Sequence, residues 1–177
     1  MRNATIKRIT VNAMGIALFV VLSLCLQVPV FQNYYLCLGY VVMTFYCYSI
    51  GIASGTIIGT LGVILYCLLI SGLRGMPGWA LGNLVLGITL GLSFKSIKKI
   101  KQPIIELIVS LITVTVLTAI AMLGFKSFVE YLLYSQPFVL RVATNMTAFI
   151  ADAFVIIVSL PVCRFLEPYV NKIILQK

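Results

Sequence analysis

The sequence predicts an all-α integral membrane protein: one domain of six transmembrane helices, with both termini on the cytoplasmic side. Three observations carry this. Hydrophobic residues make up 62% of the chain and mean hydropathy is +1.13, against roughly 45–50% apolar residues in a soluble domain. Charged residues amount to only 10% and cluster in short segments between apolar runs. The length of 177 residues holds about six spans of about 20 residues with short loops. No stretch is polar enough for a separate soluble domain.

The first span is read over residues 9–28, closed by Pro29. Arg2, Lys7 and Arg8 precede it, as in a signal peptide. The apolar run is longer than a typical signal core, no small-x-small cleavage site follows, and Leu24 before Cys25 fits a lipoprotein site poorly. The run therefore reads as a retained span. A short turn over 30–33 leads to a second span over 34–50. The third, 51–71, is rich in small residues (Gly51, Ala53, Ser54, Gly55, Gly59, Gly62), which let helices approach closely in lipid. Glycine and proline punctuate a loop over 73–78. The fourth span, 79–94, carries Gly82, Gly87 and Gly91 near helical spacing. A basic loop with Lys95, Lys98, Lys99 and Lys101 closes at Pro103. The fifth span is 104–124, followed by a mixed segment, 125–136, that suits a short interfacial helix. The sixth, 138–165, starts after Pro137.

Loop charge sets the orientation. One side collects Arg2, Lys7, Arg8, Lys95, Lys98, Lys99, Lys101, Arg164, Lys172 and Lys177; the other holds Arg74 and Lys126, with Arg141 near its edge. Basic loops stay in the cytoplasm, so the loops around Asn33, Arg74 and Glu130 face outward. The net charge of +9 thus reads as a topology signal toward anionic lipid rather than as a nucleic-acid surface.

Several chemistries are thin or missing. The chain has no histidine, the commonest general base and neutral metal ligand, and no metal site is expected. Its five cysteines lie in apolar runs without a CxxC pair, which suits small buried hydrophobes. There is no GxxxxGK[ST], HExxH or GxSxG, and no clear internal repeat. Among four acidic residues only Asp152 falls deep in a span, which is little for an enzyme. The chain cannot energise transport through a P-loop of its own, so no cofactor is expected in it.

Polar residues inside the spans are the candidate site. Arg141, Asn145 and Asp152 follow at intervals of four and seven residues, on one helical face. Trp79 and Asn83 form an i,i+4 pair in the outer half of the fourth span, just after Arg74. Asn33, Tyr34, Tyr35, Tyr131 and Tyr134 lie at outer ends. Together these would line a pocket open to the exterior. Tyrosines and tryptophan there also serve as interfacial anchors, Asn83 and Asn145 also suit bridges between helices, and Asp152 equally suits a structural hydrogen bond.

The overall plan, the segment Asn12-Ala13-Met14-Gly15-Ile16-Ala17, and the run Gly72-Leu-Arg-Gly-Met-Pro-Gly-Trp79-Ala-Leu-Gly-Asn83-Leu-Val-Leu-Gly87 resemble the substrate-binding S components of energy-coupling factor (ECF) vitamin transporters. The resemblance covers essentially the whole chain. It implies a multi-pass protein of a bacterial plasma membrane that captures a water-soluble vitamin or precursor near the outer face, under lid-like outer loops. It implies partners as well: a transmembrane T subunit, docked through a small-residue surface matched here by Ala13, Gly15 and Ala17, and two cytoplasmic ATPases that use ATP. Release by toppling in the membrane is part of the same implication. The substrate-binding set expected is Asn33, Tyr34, Arg74, Trp79, Asn83, Tyr131, Arg141 and Asn145. Arg74 and Arg141 suit a carboxylate, which favours pantothenate, with hydroxymethylpyrimidine or riboflavin as rivals. Other readings are a stand-alone small permease, a membrane enzyme or assembly factor, and a structural or signalling subunit.

Overall fold

The computed structural model describes residues 2–25, 28–31, 34–70, 72–73, 75–100 and 102–173. Helix α1 (Arg2–Cys25) leads into a two-stranded hairpin, β1 (Val28–Phe31) and β2 (Tyr34–Leu36). Helices α2 (Gly39–Ser49), α3 (Ile52–Ile70), α4 (Met76–Ile97) and α5 (Pro103–Ala119) follow. A π-helical segment (Ile120–Lys126) joins α5 to α6 (Ser127–Tyr134), and α7 runs over Phe138–Ile173. Five rods are long and apolar enough to cross a membrane: Ile6–Cys25, Ile52–Ile70, Met76–Ile97, Pro103–Tyr134 and Phe138–Val170.

The expected second span, a helix over 34–50, is not found as one helix. Its first part is an antiparallel hairpin pairing Val28 with Leu36, Pro29 with Tyr35 and Phe31 with Tyr34. Valine, phenylalanine and tyrosine favour a pleated strand, and Pro29 lacks the N–H that a helix would use. What remains is an 11-residue α2, about 16 Å long and short of the about 30 Å hydrocarbon core. Nine of its residues are buried, so it is a core helix apolar on every side. Gly51 has φ +131, a backbone state open to glycine, and it turns the chain from α2 into α3.

The expected fifth span, 104–124, also departs from expectation. Instead of a span ending at 124 and a separate interfacial helix, one rod continues through the π segment to Tyr134. Gly124 costs helix propensity, but π turns absorb it without breaking the rod. The last helix continues past residue 165 despite Pro161 and Pro168 inside it.

Glycines bring the helices together. A Cβ at Gly87 would stand 2.7 Å from Thr56 Cα, and one at Gly91 2.8 Å from Ile52 Cα, so α3 and α4 touch backbone to backbone. Phe19, Tyr40, Met43, Ile58, Leu86, Leu90 and Ile156 fill the interior. Outward surfaces are apolar, with Leu68, Ile112 and Val139 exposed, as a lipid-facing surface requires. At the end bearing the basic loop, Lys98 pairs with Glu167 and donates to the Tyr48 carbonyl, and Arg164 pairs with Glu106. Tyr48 donates to Glu106 at 3.2 Å and its ring lies 3.9 Å from Lys98 Nζ. This cluster ties α2, α5 and α7 to the α4–α5 turn, and it leaves the opposite end of the bundle to hold the cavity.

Candidate functional site

At the hairpin end lies a cavity of about 330 Å³. Its walls are Ser23 from α1, Leu36 and Cys37 ahead of α2, Tyr66 and Ile70 from α3, and Trp79 from α4. Lys126 from the π segment and Ala148, Ala151 and Asp152 from α7 complete it. Most of the wall comes from helix ends or breaks in regular helix, and the interior of α7 closes the rest.

Trp79 is held by a relay. Its Nε1–H donates to the Tyr40 hydroxyl at 2.8 Å. Tyr40 donates to Asn83 Oδ1 at 2.8 Å, and Asn83 Nδ2 donates to the Gly59 carbonyl at 3.2 Å. Tyr40 and Asn83 are fully buried, so this chain of bonds fixes the indole against α2 and α3. Tyr66 meets Trp79 edge-on, with ring centroids 5.6 Å apart. One side of the cavity is therefore aromatic.

The wall also carries charge. Lys126 and Asp152 both line the cavity and are buried. A π turn carries more residues per turn than an α turn, so faces before and after it fall out of register, and this brings Lys126 inward. Behind Lys126 lies buried Glu130, whose Oε1 is 4.0 Å from Lys126 Nζ. Glu130 Oε2 accepts from Asn145 Nδ2 at 2.9 Å and lies 3.8 Å from Arg141 Nη1. Asn145 also donates to Ser127 Oγ at 3.0 Å, and the Arg141 guanidinium stands 5.0 Å from the Tyr134 ring centroid. Also in the wall, Cys37 Sγ lies 3.2 Å from Ser23 Oγ.

The expected site residues distribute unevenly. Trp79 lines the cavity, and Asn83 stands behind it in the relay. Arg141 and Asn145 meet at Glu130, one layer outside the wall. Tyr131 is exposed. Tyr34 lies in β2; its side chain is outside the described residues, as are Asn33 and Arg74. On α1, Ala13 and Ala17 are exposed while Gly15 is buried. A Cβ at Gly15 would stand 2.4 Å from Ile58 Cδ1, so Gly15 belongs to the inner face and Ala13 and Ala17 to the outer one.

Lys126, Glu130, Tyr40 and Tyr66 were not among the expected site residues. The signal for Lys126 was a lone lysine within an apolar run, which marks an intramembrane functional position by default. Ending the fifth span at 124 hid it. Among the described residues no group of three or more His, Cys, Asp or Glu side chains could hold a metal ion.

The family model for the ECF-type riboflavin transporter S component matches residues 3–166. The chain belongs to that family. It is an S component, a multi-pass membrane protein of vitamin uptake, and the family is one of transporter subunits rather than enzymes. Its fold is similar to that of the crystallised S-component for biotin from an ECF-type ABC transporter, with TM-score 0.66 and 17% identity over 95% of this chain and 94% of that one. That likeness bears on fold alone. No curated protein matches the chain.

Proposed function

We propose that this S component captures a water-soluble vitamin or vitamin precursor at the outer face of the plasma membrane and delivers it to an ECF module. In that module a transmembrane T subunit and two cytoplasmic ATPases supply the work, and ATP is used there. The hairpin with α2 serves as one of six passes, and both termini lie in the cytoplasm with the Lys95–Lys101 loop. Ala13 and Ala17 form the exposed small-residue face of α1 that meets the T subunit, where close helix approach depends on small side chains.

The observation that carries the reading is a cavity lined by both aromatic and charged side chains, placed at the end away from the basic loop. Pockets of about 300–1,000 Å³ with a few placed polar groups suit small organic ligands. Lys126 and Asp152 face the ligand with opposite charges, so a neutral molecule offering an acceptor to one and a donor to the other is favoured. Riboflavin has this character: a flat ring system for the Trp79 and Tyr66 side, with an imide N–H between two carbonyls. Family membership supports the same choice. Pantothenate is second, because its carboxylate suits Lys126 but repels Asp152, and Arg141 is already engaged by Glu130. Hydroxymethylpyrimidine, a smaller neutral ring, would leave part of the volume empty.

The test is direct. Trp79 is the chain's single tryptophan and lines the cavity, so its fluorescence reads occupancy. Purified protein is titrated with riboflavin, pantothenate, hydroxymethylpyrimidine, biotin and thiamine. Saturable quenching by one vitamin, with ATP-driven uptake only when the module is present, is the expected result. Uptake into liposomes by this chain alone would favour a permease, and failure to bind any vitamin would refute the reading.

A further inference from the structure

Four charged side chains, Lys126, Glu130, Arg141 and Asp152, stand together at the hairpin end. They sum to zero formal charge. Only Lys126 and Asp152 reach the cavity wall. Glu130 sits behind it, buried, and is shared between the two cations: 4.0 Å to Lys126 and 3.8 Å to Arg141. Its firm bond is to neither cation but to Asn145, at 2.9 Å. Gly78 closes over it, since a Cβ there would stand 2.7 Å from Glu130 Cγ. The carboxylate is thus clamped by α4 and α7 at a distance where it offsets charge without capturing the lysine.

We propose that Glu130 is a specificity-determining residue that sets which charge of vitamin the cavity accepts. With Glu130 ionised the quartet is balanced and the site takes a neutral ligand. Without it, Lys126 and Arg141 outnumber Asp152, and the same cavity gains one net positive charge and takes a carboxylate-bearing vitamin instead. Glu130 lies one layer behind the wall, yet in a partly dry site a charge at that remove still moves the affinity of a charged ligand by on the order of 10–100-fold. This inference rests on the proposed capture role and on the same cavity, but its prediction concerns a ratio of affinities and not binding as such.

The experiment is a Trp79 fluorescence titration of the full chain in detergent, using neutral riboflavin against the anions pantothenate and biotin. Glu130→Gln is expected to raise the ratio of anion to riboflavin affinity about tenfold or more. The double variant Glu130→Gln with Arg141→Gln restores the balance and should return the ratio to the wild-type value. A lost structural contact alone would weaken all ligands together and leave the ratio unmoved, and that result overturns the proposal. If Glu130→Gln does not fold, Arg141→Gln reads the same balance from the other side: it should lower the anion ratio and favour cationic thiamine, and an unchanged ratio again overturns it. Wild-type protein that binds none of the panel defeats the capture role. In that case Glu130→Gln protein that binds an anion still supports the charge argument, and protein that binds none overturns it too.

Discussion

A single methyl group added at Gly87 probes how the cavity depends on helix packing. A Cβ at this position would stand 2.7 Å from Thr56 Cα and 3.0 Å from Thr56 Oγ1. Carbon atoms in ordinary contact lie about 3.5–4.0 Å apart, so α3 and α4 must part there by about 1 Å. Overpacking of this kind costs about 1–3 kcal/mol. One turn away, Asn83 reaches the Gly59 carbonyl at 3.2 Å, already near the outer limit of an N–H···O bond. Separation breaks it, at about 0.6 kcal/mol for a bond between membrane helices. The sum, about 1.6–3.6 kcal/mol, corresponds to about 3–14 °C in Tm for a chain of this size. Because Asn83 anchors Tyr40, and Tyr40 holds Trp79, riboflavin binding should weaken as well. The assay is thermal unfolding in detergent followed by a Trp79 titration. Gly124→Ala is the control, since a Cβ there has nothing within 4 Å. Gly87→Ala protein that melts with the wild type and binds as tightly would refute the chain of reasoning from backbone contact to indole position.

Three further outcomes are expected. Lys126→Gln removes the cavity's cation while keeping a polar side chain; losing a charge-assisted hydrogen bond of about 1.5–3 kcal/mol should weaken riboflavin binding by about 10–150-fold in the same titration. Replacing both Ala13 and Ala17 with leucine should abolish ATP-driven uptake in cells and leave ligand binding by the purified chain intact, since both side chains are exposed; unchanged uptake would remove the docking role. A cysteine at exposed Lys99, in a chain with Cys25 replaced by alanine, should react with an impermeant maleimide only after the membrane is opened. Cys25 is the exposed native thiol among Cys25, Cys37, Cys47, Cys67 and Cys163, so the background is low. Labelling from outside intact cells would reverse the orientation.

Much of the plan was legible because lipid is a demanding solvent. Every backbone polar group must be satisfied within the segment or in a closed sheet, so long apolar runs declare themselves as helices. The first, third, fourth and sixth spans were read close to their observed places for this reason. The hairpin was not, since a short apolar run supports strand or helix alike and pairing of Val28 with Leu36 is a relation between segments. Lys126 was missed on similar grounds. Gly124 and the mixed residues after it look like a helix end, and only packing against α4 and α7 keeps the rod continuous.

Composition and hydropathy alone determined that this is a multi-pass helical membrane protein, and its sequence pattern placed it among the S components. Which polar residues line the cavity was decided by tertiary structure. Arg141 and Trp79 are equally conspicuous along the chain, yet Glu130 draws Arg141 out of the wall while Tyr40 holds Trp79 in it. The reason is physical. A buried charge or indole N–H takes whichever partner the neighbouring helices bring within reach, and those partners lie 11 and 39 residues away in sequence.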